Sequence, residues 1–209
     1  MFVKLCGFTR REDIEMIPDL KIAAAGFIFY KASKRYVKPV VAKELIGILK
    51  GSSIAAAGIF VDDDADTIKS IADYTGLDML QVYNSETAAA LNGFLPVISC
   101  FRIKHEHTAV DLPVPPDSGH ILFDTFDTGS MGGTGKSFSS DILKSYGFRE
   151  RMIVAGGVNS GNIGSLIRDI RPFGVDISSG IETAPGIKSQ GKIKEILEKI
   201  AEAENDSIA

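Results

Sequence analysis

Cys6 and Asp124 are the residues best placed along the chain to move a proton. Cys6 follows the apolar run "VKL" (3–5) and precedes Gly7, where a strand gives way to a loop. Such a place suits an exposed thiol. A lone cysteine is equally an ordinary small core residue, so residue type alone leaves both readings open. Asp124 closes the apolar run "HILFD" (120–124). An uncompensated charge there costs several kcal/mol, on the order of 2–5. A carboxyl held in such a position tends toward a raised pKa and acid–base work, with a helix cap as the plainer alternative.

Anion chemistry is suggested by glycines. "AGGVN" and "SSG" follow two strand-like runs, "MIVA" (152–155) and "GVDIS" (174–178). Gly156, Gly157, Ser179 and Gly180 then stand where backbone N–H groups near helix N-termini can cradle a phosphate. A tight turn is the structural alternative. The run "MGGTGKS" (131–137) ends like a nucleotide-binding loop, but its register is wrong. Such a loop needs a glycine five places before the Gly-Lys pair, and that place holds Ser130. His105 and His107 form a His-x-His pair without a third ligand, which reads as solvated loop and predicts no metal. Cys100, in mid-strand, reads as core.

These residues must be positioned by a repeating pattern of strand, turn and amphipathic stretch. The strand-like runs lie at 3–5, 22–29, 54–61, 78–83, 97–103, 120–124, 152–155 and 174–178. Most are continuously apolar, as parallel strands buried on both faces are. Thr9 and Glu12 have the spacing of a capping box. Val41, Leu45, Ile48 and Leu49 form one apolar stripe ended by Gly51. Ile68, Ile71 and Ala72 form another, opened by Asp62–Asp64 and stopped by Gly76. Further helices are predicted in "SSDILKSYGF", "NSGNIGSLIRDI" and the stretch carrying Ile193, Ile196, Leu197 and Ile200. The Pro-rich segment 105–119 leaves the fifth helix short or missing. The fold class predicted is α/β, one (β/α)8 barrel over residues 1–209 with a frayed tail at 203–209. The near-identical runs at 22–29 and 54–61 are read as equivalent barrel strands.

The chain has 209 residues, 44% of them hydrophobic, enough for one substantial core. A net charge of −4 without any basic run argues against nucleic acid as a partner. No apolar segment has the length of a membrane span, and the start of the chain lacks a signal-peptide core. Two isolated cysteines fit a reducing cytoplasm.

Five segments resemble the phosphoribosylanthranilate isomerase family of tryptophan biosynthesis. They are "KLCGFTRRED" (4–13), "GFIFYKASKRYV" (26–37), "FDTFDTGSMGGTGKSF" (123–138), "IVAGGVNSGNI" (153–163) and "GVDISSGIETAPGIK" (174–188). They occur in order through nearly the whole chain. The resemblance implies a (β/α)8 barrel that performs an Amadori rearrangement of a small phosphorylated substrate. It implies Cys6 as general base, Asp124 as general acid, and Arg35 at the substrate's carboxylate end. It also implies substrate contacts at Gln81 and Asp176, and a glycine-rich loop over the substrate at 132–135. No cofactor is expected, and the chain would be a monomer or homodimer. One departure is visible: where the family has Gln-x-His-Gly, this chain has Gln81, Val82, Tyr83 and Asn84. Two other readings share the phosphate site, namely another phosphosugar isomerase or epimerase, or a catalytically silent paralogue.

Overall fold

A computed structural model of the protein describes residues 1–104, 107–115, 119–124 and 141–206. The strands are β1 (Phe2–Cys6), β2 (Ala24–Ile28), β3 (Ala55–Phe60), β4 (Met79–Val82), β5 (Val97–Arg102), β6 (His120–Asp124), β7 (Met152–Ala155) and β8 (Gly174–Ile177). Each is parallel to the next, and β8 returns to β1, so the sheet closes into a barrel. The repeated runs are the neighbours β2 and β3, paired Ala24 to Ala55 and Ala25 to Ala56.

Alternation along the strands separates two apolar layers. Val3, Leu5, Ala25, Phe27, Ala56 and Phe60 join the core beneath the helices. Ile121, Phe123, Met152 and Val154 meet Leu143, Tyr146 and Ile170 in a second patch of that layer. Residues of the opposite parity, Ile98, Leu122, Ile153 and Ala155, pack together inside the barrel, with Phe2, Met79 and Cys100 against them.

The helices are α1 (Arg11–Glu15), α2 (Pro39–Leu49), α3 (Ala65–Thr75), α4 (Ser85–Ala90), α5 (Asp141–Lys144), α6 (Ile163–Ile170) and α7 (Gln190–Asp206). In α2 the apolar stripe is buried at Leu45 and Leu49, joined by Ala42 and Ile46. Asp64 caps α3 by accepting from the Thr67 N–H at 2.8 Å. Between β5 and β6, the described residues carry only a short 3-10 turn, Ala109–Asp111. That agrees with a short or missing fifth helix. The Tyr146 hydroxyl ties this link down by donating to the Pro113 carbonyl at 2.8 Å.

Two local expectations are corrected. The Thr9 capping box is absent, because the Thr9 hydroxyl donates at 2.8 Å to the distant Gly186 carbonyl, and α1 starts without a side-chain cap. The chain is helical through Asp206, past the expected start of fraying at 203. Ala203 is buried there, and Glu204 takes the N-terminal ammonium at 2.7 Å. Among the described residues, no helix is long and apolar enough to cross a membrane. His105, the run 131–137 and the expected loop glycines 132–135 lie outside the described residues.

Helix α4, which periodicity did not reveal, explains Asn84. Its side chain is the α4 N-cap, accepting from the Thr87 N–H at 2.9 Å. Asn84→Ala should therefore lower unfolding free energy by about 1 kcal/mol, the usual worth of a cap, in urea titration. Unchanged stability would show that the cap carries nothing.

Candidate active site

Parallel strands present all their carboxyl ends at one mouth, where this fold places its chemistry. Cys6 ends β1, Asp124 ends β6, and Asp176 lies in β8. Gln81 lies in β4 and Tyr83 just beyond it. Cys6 is buried at 4% exposure, which corrects the exposed thiol expected from its place before a loop. The cause is its ladder partner, Gly26. A Cβ there would stand 2.7 Å from the Cys6 Sγ, so the missing side chain makes the room the thiol occupies.

Two ion pairs flank the thiol. Lys4 Nζ and Asp176 Oδ1 lie 2.7 Å apart with both side chains buried. Lys188 Nζ lies 2.7 Å from Glu182 Oε1 and also donates to the Cys6 carbonyl oxygen. Glu182 and Lys188 sit on a small antiparallel ribbon, β9 (Glu182–Ala184) and β10 (Ile187–Lys188), anchored where the Lys188 N–H donates to buried Asp13 at 3.1 Å. Glu182 further accepts from Arg35 Nε at 2.8 Å and Nη2 at 2.6 Å. Arg35 thus stands at the rim with its guanidinium held in a two-nitrogen grip.

Burial and this network set the protonation states. Burial pushes the Cys6 thiol up, and Asp176 adds to it, against the pull of Lys4 and Lys188. Burial likewise raises the Asp176 carboxyl above the usual range, although Lys4 opposes it. Burial works against the Lys4 ammonium, but Asp176 and Cys6 outweigh it and hold its pKa above the ordinary value. Burial alone would raise Glu182, yet Arg35 and Lys188 hold it below the carboxylate range. Burial holds Lys188 below the usual ammonium value despite Glu182.

Across the lumen, the Tyr83 hydroxyl donates to Asp124 Oδ2 at 3.2 Å. The Arg102 guanidinium lies over the Tyr83 ring, 4.6 Å from its centroid. Gln81 is buried, and its Oε1 has no hydrogen-bond partner. Cys100 packs against the apolar layer inside the barrel, in keeping with its reading as core. Burial pushes its thiol well up, and Lys4, Asp176 and Asp124 act on it as charges. A cavity of about 1210 Å³ touches Tyr83 and Cys100 but extends beneath the β5–β6 link, away from Cys6 and Asp124. Residue chemistry, not void size, therefore locates the site.

Beside β7 and β8 the glycines behave as turn and contact residues. Gly156 and Gly157 have φ of 86° and 67°, left-handed values that favour glycine. Their turn is knitted by Asn159 and Asn162, which both donate to the Gly157 carbonyl, at 2.8 and 3.0 Å. Gly180 lies in a 3-10 turn at Ser179–Ile181. A Cβ on it would fall 2.1 Å from the Val158 carbonyl oxygen, so only glycine lets the two loops meet.

Lys4, Glu182, Lys188 and Arg102 were missed as site residues by sequence reasoning. Lys4 had one usable signal, a lysine of inward parity within an apolar strand two residues before Cys6. Among the described residues, no group of three or more His, Cys, Asp or Glu could hold a metal ion.

Comparison with known proteins agrees with this geometry. The family model for N-(5'-phosphoribosyl)anthranilate (PRA) isomerase matches residues 3–199. The N-(5'-phosphoribosyl)anthranilate isomerase of Thermoanaerobacter sp. (strain X514) is 37% identical over 202 residues, covering 95% of this chain and 97% of its own. That of Pelobacter propionicus is 35% identical, covering 98% of each. The crystal structure of phosphoribosyl anthranilate isomerase from Thermotoga maritima superposes with a TM-score of 0.80 at 30% identity, covering 97% of this chain and 99% of its own. A structure of such an isomerase in complex with reduced 1-(o-carboxyphenylamino)-1-deoxyribulose 5-phosphate gives 0.76 at 29% identity, with the same coverage.

The raised thiol has a direct readout. The ultraviolet thiolate absorbance of the wild type, minus that of Cys6→Ser, should titrate above pH 9.0, the unperturbed value. An inflection near neutrality would mean that Lys4 and Lys188 win over burial.

Proposed function

The chain belongs to the N-(5'-phosphoribosyl)anthranilate isomerase family, and from that premise we propose that Cys6 and Asp124 perform its isomerisation as base and acid. The protein is an enzyme of tryptophan biosynthesis acting on N-(5'-phosphoribosyl)anthranilate. The product is 1-(2-carboxyphenylamino)-1-deoxyribulose 5-phosphate. One observation carries the catalytic reading: Cys6 and Asp124 end β1 and β6 of one closed parallel barrel, so both stand at the same mouth.

The reaction is a sequence of proton transfers. Protonated Asp124 donates to the ribose ring oxygen, and the bond from that oxygen to C1 breaks. The anthranilate nitrogen supplies its lone pair and forms a C=N bond, giving an iminium. Cys6 as thiolate then takes the C2 proton. The C–H electron pair becomes the C1=C2 bond, and the positive charge on nitrogen is discharged. The enol hydroxyl at C2 loses its proton while C1 gains one, leaving a ketone at C2. The balance contains no net oxidation, so acid–base groups suffice. Because burial keeps Cys6 protonated at rest, the thiolate relies on the nearby ammonium groups of Lys4 and Lys188.

The remaining contacts follow from the same rim. The N–H groups around Gly156, Gly157, Ser179 and Gly180 cradle the phosphate. Arg35, preorganised by Glu182, faces the carboxylate end. Gln81 keeps a buried acceptor oxygen without a hydrogen-bond partner, which a substrate hydroxyl or N–H donor would satisfy.

Anthranilate fluorescence follows consumption of the substrate. Cys6→Ser should cut turnover by at least about a hundredfold, the usual scale for loss of a general base. Asp124→Asn should lower kcat far more than it raises KM. Near-normal turnover in either variant removes that residue from proton transfer. Inorganic phosphate should raise the thermal midpoint by mass action, by about 2.7 kcal/mol of stability at a hundred times its Kd. A midpoint that phosphate leaves in place would argue against the glycine cradle.

A further inference from the structure

The departure at the end of β4 divides into two parts. Asn84 is accounted for as the cap of α4. Tyr83 is not accounted for by the fold. Its hydroxyl reaches into the mouth and donates to Asp124 Oδ2 at 3.2 Å, while Arg102 covers its ring at 4.6 Å. Arg102 is the ladder partner of Asp124, so β4, β5 and β6 each contribute one member of a contiguous unit. Among the described residues, Arg102 has no ion-pair partner, and its recorded contact is the tyrosine ring.

We infer that Tyr83 is a positioning residue for Asp124: its hydroxyl holds Oδ2 and so orients the carboxyl for proton transfer to the substrate. This rests on the reading of Asp124 as the acid. With Oδ2 engaged as an acceptor, rotation of the carboxyl is restrained. As the proton leaves, Asp124 becomes a carboxylate, and a hydrogen bond to a carboxylate is shorter and stronger than one to the acid. The Tyr83 contact therefore strengthens along the reaction, which is the condition for lowering the barrier and not merely tightening binding. Tyr83 stays a donor throughout, because burial, followed by the charges of Cys100 and Asp124, pushes its phenol far above the ordinary range. Arg102 on the ring face limits rotation of the ring and draws electron density from it, which favours donation by the hydroxyl. A ring N–H of histidine at the same place offers the same donation, so Tyr83→His is the conservative replacement.

The test uses steady-state kinetics of the full chain, with thermal midpoints of every variant. Tyr83→Phe should lower kcat about tenfold, the worth of one charge-assisted hydrogen bond, and leave KM within about twofold. Tyr83→His should keep most of kcat. In the residual turnover of Asp124→Asn, adding Tyr83→Phe should change the rate by less than about twofold, because the residues act as a unit. Arg102→Ala should give a smaller kcat loss of the same kind. A KM effect alone, a tenfold loss that persists in the Asp124→Asn background, or a normal kcat in Tyr83→Phe would each overturn the positioning role. If Asp124→Asn itself turns over normally, the acid assignment has failed, and this role fails with it. An inactive Asp124→Asn beside a fully active Tyr83→Phe defeats the positioning role alone.

Discussion

The buried pair of Lys4 and Asp176 is the constraint on which the rest of the site depends. These residues face each other across the seam where β8 returns to β1, at 2.7 Å. Neither charge tolerates burial alone. Removing one partner of such a pair costs about 3–5 kcal/mol, because the other is left uncompensated. The pair thus ties closure of the barrel to the presence of an ammonium and a carboxylate in its lumen. Cys6 lies two residues beyond Lys4 on the same face of β1, and the loop to Gly180 follows directly from Asp176. Whatever fixes this seam also fixes the distance between the thiol and the turn that carries Gly180.

A second layer of charge is built on top of the first. Glu182 joins Arg35 from the loop after β2 to Lys188 from β10, and Lys188 reaches back to the Cys6 carbonyl. One carboxylate therefore serves two cations from distant parts of the chain. The effect on Cys6 is a contest of opposing terms. Two ammonium groups favour the thiolate, while burial and Asp176 favour the thiol, and the thiol wins at rest.

Much of this architecture was legible in the sequence, and the misses share a cause. Strands of a parallel sheet buried on both faces are largely apolar, so all eight were legible as runs, most of them continuously apolar. Cys6, Asp124 and the paired glycines stand at strand ends, where a barrel must put its chemistry. The ribbon holding Glu182 and Lys188 was invisible, because it is only a few residues long and its polar members look like surface residues. Thr9 failed as a cap because its partner, Gly186, is 177 positions away, and a tertiary contact overrode a local pattern. The helical end of the chain was missed because polar spacing hides the seat of Ala203.

The same reasoning shows why the fourth-strand departure is compatible with the chemistry. A tyrosine is larger than a histidine, and its added reach would be a liability if its hydroxyl met no acceptor in a half-buried mouth. Here the hydroxyl meets Asp124, and the ring face meets Arg102 from the adjoining strand. The two substitutable demands of the position, a donor at the right depth and a supported ring, are both filled by residues of this chain. Its neighbour Asn84 departs for another reason, since it serves the backbone of α4 and not the substrate. Two adjacent departures from one motif thus have separate physical causes. Of the two, Tyr83 is the one whose side chain meets Asp124.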